Sequence, residues 1–140
     1  MKRVLKHILC ISLAMLIFLC MAACDETKKD LWENAIYTED TAFGDGEKTL
    51  LVEVEAEGKS VTFTIKTDKE TVGEALSEHK LIAGKNGAYG LYIEEVNGIL
   101  AQYSKDKSYW SFNKDGKYMS TGVDTTKFKD KEHYELVYTK

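Results

Sequence analysis

A run of five residues, Tyr109-Trp110-Ser111-Phe112-Asn113, followed at short range by Tyr118, carries the side chains in this sequence best suited to recognising another molecule. On a strand, Trp110 and Phe112 share one side while Tyr109 and Ser111 share the other. Rings set beside the Asn113 to Lys117 loop can cover a flat conjugated ligand by stacking and apolar contact. The alternative is that Trp110 and Phe112 are core residues, as large aromatics commonly are. The ligand-facing set is then Tyr109, Ser111, Asn113 and Tyr118, and Tyr89 and Tyr92, which flank Gly90, can join either set. The candidate ligand-binding residues are therefore Tyr92, Tyr109, Trp110, Ser111, Phe112, Asn113 and Tyr118.

Catalytic chemistry has little to draw on. His79 and His133 are the histidines beyond the amino-terminal leader, and neither falls in a metal-ligand spacing such as His-x-x-x-His. Both read as solvated or hydrogen-bonded structural histidines. Glu53 and Glu55 project from one face of a strand at a separation of ~7 Å, within reach of a glycosidase carboxylate pair, but on an exposed strand they read as solubilising charges. There is no nucleophile elbow, no phosphate-cradling glycine loop and no Ca²⁺-loop consensus. The expectation is a protein that is not an enzyme, with no catalytic residue and no metal site.

The remaining reactive side chain is a thiol. Met1-Lys2-Arg3 leads into the apolar run Ile8 to Leu19 and then into the small residues Ala22-Ala23, the three-part layout of a secretory signal. Met21-Ala22-Ala23-Cys24 resembles a bacterial lipobox, in which the cysteine sulfur receives a diacylglyceryl group before cleavage ahead of it. A retained transmembrane anchor is the competing reading, and the run is shorter than the ~20 residues that a span needs. Residues 1–23 are thus expected to be a lipoprotein signal peptide and Cys24 the lipidated first residue, held on the outer face of a bacterial cytoplasmic membrane or at the cell surface. Cys10 and Cys20 leave with the leader, so disulfides, zinc-cysteine sites and cysteine nucleophiles drop out. Lys2, Arg3 and Lys6 leave too, with no acid lost, which deepens the net charge of −4 by three. That balance argues against nucleic acid, whose phosphates call for clustered Lys and Arg.

The elements that must position these groups are legible in part. Residues 24–47 are polar and acidic and end in Gly44-Asp45-Gly46, which reads as a tether, with Trp32, Tyr37 and Phe43 available to dock its far end. Residues 48–140 form one domain. Leu50, Val52 and Val54, then Val61, Phe63 and Ile65, alternate with polar residues around Glu57-Gly58-Lys59, which predicts a hairpin with one buried face. Thr71-Val72-Gly73-Glu74 fits a capping box, and the spacing of Val72, Ala75, Leu76 and His79 predicts a helix of about three turns ending near Gly84. Strands are expected over Leu91 to Val96, Ile99 to Tyr103, Tyr109 to Phe112, Lys117 to Met119 and His133 to Thr139, with turns at Asn97-Gly98 and Asp115-Gly116.

Five segments in order carry a resemblance to a known family: the Thr71 helix start with Ala75-Leu76, Gly90-Leu91-Tyr92 running to Val96-Asn97-Gly98-Ile99, Tyr109-Trp110-Ser111-Phe112, Thr121-Gly122-Val123-Asp124, and Tyr134-Glu135-Leu136-Val137-Tyr138. From about Thr49 to Tyr138 the chain resembles the transcobalamin-like C-terminal domain family, found in bacterial surface lipoproteins and in the animal cobalamin carriers. The resemblance implies an α+β fold in which a β-grasp-like mixed sheet wraps around one helix. Relatives often carry a glycine before the last strand, where this chain has Asp130-Lys131-Glu132. In the animal carriers the domain closes over one face of a corrinoid while a helical domain cradles the other, so the resemblance implies half of a sandwich here. Axial ligation of a corrinoid cobalt would fall to His133.

The functional expectation is a membrane-anchored extracytoplasmic binding lipoprotein whose ligand is cobalamin, another corrinoid or another large planar molecule, shared with an uptake or surface protein partner. The alternative is an envelope module that recognises a protein or glycan through the same aromatic-rich sheet, with no small-molecule ligand. Fold by itself does not choose between them.

Overall fold

The computed structural model describes residues 29–140. Residues 1–23, expected to be a signal peptide, and Cys24 lie outside the described residues. The architecture is mostly β, a mixed sheet with few helices.

The alternating hydrophobic stretches form β2 (Lys48–Ala56) and β3 (Lys59–Thr67), paired antiparallel from Lys48 opposite Thr67 to Ala56 opposite Lys59. Glu57 and Gly58, with φ of 50° and 76°, make the two-residue turn that this register requires. Leu50, Val52, Val54, Val61, Phe63 and Ile65 are all buried, each side chain worth ~1.5–3 kcal/mol. Beside β2 runs β9 (Glu132–Thr139), parallel to it, then β7 (Tyr109–Lys114) and β8 (Lys117–Tyr118), both antiparallel to their neighbours. On the far side β1 (Thr41–Phe43) lies parallel to β3, giving the six-strand order β1-β3-β2-β9-β7-β8.

One face of this sheet is covered by α1 (Val72–Glu78) and by a three-stranded antiparallel sheet, β4 (Ile82–Gly87), β5 (Gly90–Val96) and β6 (Ile99–Leu100). Val72, Ala75 and Leu76 from α1 and Ile82, Ile93, Val96 and Ile99 from the second sheet join the first sheet's inner residues in one core. The capping box forms as the sequence predicts: Thr71 Oγ1 accepts from Glu74 N at 3.2 Å and Glu74 Oε2 accepts from Thr71 N at 3.1 Å.

Two expectations are corrected. The helix has about two turns rather than three, because Lys80 adopts φ 55° and the chain closes with Lys80 N donating to Ser77 O and Leu81 N donating to Leu76 O, a Schellman stop with lysine in the glycine position. Leu81-Ile82, which extend the helical spacing in sequence, instead lead into β4. Gly84 therefore does not stop a helix. It sits at a bulge where β5 has one residue more than β4, and a Cβ there would lie 2.0 Å from the Tyr92 carbonyl oxygen.

The far end of the tether docks through the three aromatics available for it, and residues 31–43 are strapped across the domain. Trp32, in the 3₁₀ turn Leu31–Asn34, is buried with its indole N–H donating to Ala56 O at 2.9 Å. The side chain of Asn97, wholly buried at the Asn97-Gly98 turn, accepts from Tyr37 N and donates to Tyr37 O, as a strand partner would. Tyr37, Phe43 and Phe63 then meet edge to face, and Phe43 stacks on His79 at 4.9 Å. Burial of Trp32 and partial burial of Tyr37 and Phe43 offset the entropy of ordering so short a segment.

Candidate ligand-binding site

Among the described residues seven large hydrophobic side chains are exposed, and six of them, Tyr89, Tyr92, Leu100, Tyr103, Tyr109 and Tyr118, border two clefts. The first cleft, of about 270 Å³, lies between β5 and the β7–β8 hairpin. Trp110 and Phe112 form part of its wall, Tyr89, Tyr92, Tyr109 and Tyr118 stand around it, and the loop Met119 to Val123 closes one side.

Each wall is fixed from behind. Trp110 is packed edge to face on Tyr138 at 5.5 Å with its indole N–H towards Ile99 O at 3.3 Å, and Phe112 stacks on Tyr134 at 5.5 Å. Tyr134 is fully buried, and its hydroxyl donates to Glu132 Oε2 at 2.8 Å. Burial, aided by that carboxylate, pushes the Tyr134 phenol up to about 12. Burial also works to raise the Glu132 carboxyl, but the bonds from Lys114 Nζ at 2.7 Å, from Lys129 N at 3.0 Å and from Tyr134 prevail and hold it at about 2. The closing loop is tied to α1 through Gly73 N donating to Val123 O, and to β5 through Leu91 N donating to Asp124 Oδ2 at 3.1 Å.

Of the residues singled out from sequence, Tyr92, Tyr109, Trp110, Phe112 and Tyr118 meet at this cleft. Ser111 and Asn113 do not. Strand alternation turns them to the sheet's outer face, where Ser111 Oγ donates to Asn113 Oδ1 at 2.9 Å and Asn113 stands opposite Glu135. Trp110 and Phe112 are at once core residues, each 7% exposed, and cleft lining, so the two readings of them were not exclusive. His133 also faces outward, between Glu53 and Glu135 at 3.7 and 3.2 Å, away from the cleft. Among the described residues no three His, Cys, Asp or Glu side chains converge to hold a metal ion.

The second cleft, of about 420 Å³, was not foreseen. It shares Tyr92 with the first and adds Lys85, Glu94, Leu100, Gln102, Tyr103 and Ser104. Tyr103 meets Tyr109 edge to face at 6.5 Å, so the aromatic surface runs continuously from one cleft to the other. The Tyr103–Asp106 helical turn that supplies Tyr103 and Ser104 gives no periodic signal, being a single turn.

A family model described as a domain of unknown function, DUF4430, matches residues 69–140. The chain belongs to this family. The DUF4430 match runs from α1 through β9 and so includes every residue lining either cleft. A solved structure from Ruminococcus gnavus ATCC 29149, of a candidate metal-binding protein, is 32% identical with a TM-score of 0.63, over 67% of this chain and 98% of that one. Haptocorrin in complex with Cbi is similar at 18% identity and a TM-score of 0.51, over 70% of this chain. The similarity spans about a quarter of haptocorrin, 26% of its chain, and at that identity it concerns the fold alone. No curated protein matches.

Proposed function

We propose that this DUF4430 protein is a member of the transcobalamin-like C-terminal domain group with a β-grasp-like sheet, and that it is a non-enzymatic binding lipoprotein. Cys24 anchors it to the outer face of a bacterial membrane, and the first cleft presses against one face of a corrinoid or another large planar ligand while a partner protein covers the rest. The observation that carries this reading is the ring of exposed tyrosines over a floor of Trp110 and Phe112. The likeness of fold to haptocorrin, whose structure contains Cbi (cobinamide), supports the choice of ligand class. Metal binding, the description given to the Ruminococcus gnavus protein, is said of that protein, and the present reading rests on the aromatic cleft instead.

A cleft of about 270 Å³ embraces only an edge of a macrocycle, so the chain alone binds weakly, with Kd in the range of ~1 µM to 1 mM. Titration calorimetry of the purified chain with cobinamide and cobalamin, run beside quenching of Trp110 fluorescence, tests this. Tyr109→Ala and Tyr118→Ala should each weaken the quenching without unfolding the protein, since both side chains are exposed. Absence of heat with either corrinoid at millimolar concentration removes the corrinoid reading for the chain by itself. The anchor is tested separately by incorporation of labelled palmitate, which Cys24→Ser should abolish and Cys20→Ser should not.

A further inference from the structure

We propose that the second cleft is a saccharide site that takes a neutral pyranose unit of an oligosaccharide, independently of what occupies the first cleft. Its volume of about 420 Å³ falls within the ~300–1,000 Å³ typical of small-molecule sites, whereas the first cleft falls just below it. Tyr92, Tyr103 and Leu100 are 49%, 54% and 47% exposed, so folding leaves their apolar surface in water. A pyranose presents an apolar C–H face and an edge of hydroxyls. Phenol rings suit the first, being flat and apolar with a polar tip.

The polar groups suit the second. Lys85 Nζ lies 2.8 Å from Glu94 Oε1, which holds the lysine above its ordinary range through that hydrogen bond and leaves the pair without net charge. The pair keeps ammonium protons to donate and a carboxylate oxygen, Oε2, to accept. The Gln102 side chain caps nothing at the helical turn it precedes, so its amide can donate and accept, as can the Ser104 hydroxyl. A sugar hydroxyl does both as well, and a set that is neutral overall offers no counter-charge to an anionic or cationic ligand.

The site is also held in shape before any ligand arrives. Ser108 Oγ accepts from Gln102 N at 2.8 Å and donates to Asp106 Oδ1 at 2.6 Å, while Lys105 N and Asp106 N both donate to Gln102 O. Lys107, at φ 66°, closes the turn and sets its ammonium over the Tyr103 ring at 5.0 Å. Opposite, the β4–β5 ladder fixes Lys85 against Tyr92. A half-open cleft of this kind binds a short sugar weakly, with Kd in the range of ~0.1 to 10 mM.

The test is saturation-transfer NMR on the full chain with maltotriose, cellotriose and N,N′,N″-triacetylchitotriose, each titrated to saturation or to ~20 mM. At least one should bind saturably, with Tyr103→Ala and Gln102→Ala each weakening it by about tenfold or more and Tyr118→Ala leaving it unchanged. All three side chains are exposed, and circular dichroism verifies that the variants fold. No saturable binding of any of the three sugars, or binding that survives Tyr103→Ala, overturns the proposal. Cobinamide titrated against the same variants separates the two readings, because it should follow Tyr118→Ala and ignore Gln102→Ala.

Discussion

Replacing Glu132 by glutamine should remove a defined portion of the protein's pH-dependent stability. Three donors converge on this carboxylate, Lys114 Nζ, Lys129 N and the Tyr134 hydroxyl, and hold it at about 2 against an ordinary value of 4.5. Because the folded value lies below the unfolded one, the unfolded chain takes up the proton first. The contribution is thus fully present above pH ~4.5 and lost as pH falls through about 2. At 1.36 kcal/mol per unit the shift corresponds to about 3 kcal/mol, and with the Glu132 side chain 22% exposed and Lys114 32% exposed, about 2–3 kcal/mol is the expected size. Asp30, Glu70, Glu74 and Asp106 are also held below their ordinary range, so the quantity to read is the gap between wild type and Glu132→Gln, not the wild-type curve. Urea unfolding at intervals from pH 2 to pH 7 measures it. The gap should widen by about 2–3 kcal/mol from pH 2 to pH 5 and then stay level. A gap that is constant across the whole range would show that Glu132 is not held charged by its three donors, and the reasoning about this end of the sheet would fall.

Trp110→Ala should cost ~3–5 kcal/mol in urea unfolding, since the ring is buried between Tyr138 and the β6 backbone; a loss under about 1 kcal/mol would contradict its packing. Thr71→Ala should cost ~1 kcal/mol, because Glu74 N loses its acceptor, and a neutral effect would deny the cap its role. Lys80 and Lys131 both occupy the left-handed region, at φ 55° and 65°, so Lys80→Gly and Lys131→Gly should each raise the unfolding midpoint, by up to about 1 kcal/mol per site, and a destabilised variant would show that the lysine side chain matters more than the backbone. Above pH 10 the protein should lose stability as pH rises towards 12, the folded value of Tyr134, and Tyr134→Phe should flatten that loss as read by thermal unfolding.

What could be read from the sequence was local. The turns at Glu57-Gly58, Asn97-Gly98 and Asp115-Gly116 are formed by adjacent residues with positive φ, and each was marked by its own dipeptide. The capping box was equally self-contained. The helix end was misjudged because Leu81-Ile82 fit the helical spacing while Lys80, a residue with no turn signature, takes the left-handed conformation. The bulge opposite Gly84 lets both Ile93 and Val96 reach the core, which strict alternation forbids, and nothing within β5 announces it. The strap's three aromatics stood out in a polar segment, but its partners did not: three residues of β1 pair in parallel with β3 some twenty positions away, and the Asn97 clamp on Tyr37 spans sixty positions. The first cleft was partly visible because its rings cluster in β7, whereas the second is assembled from β4, β5 and a single helical turn.

The strap alters how far this molecule can roam. If the chain is anchored through Cys24, ordered packing beginning at Asp30 and Leu31 leaves a leash of only a few residues, whose full extension is roughly 20 Å, in place of one several times as long. Lys29 and Leu31 share a surface hollow with Glu57, Asp106 and Lys140, so under the proposed anchoring that end of the body would be the one turned to the lipid headgroups. Asp106 ends the helical turn that presents Tyr103, so the same anchoring would set the second cleft close to the bilayer. A protein held in this way would patrol a thin layer above the membrane, and whatever it met would have to be embedded in that membrane or delivered to its surface.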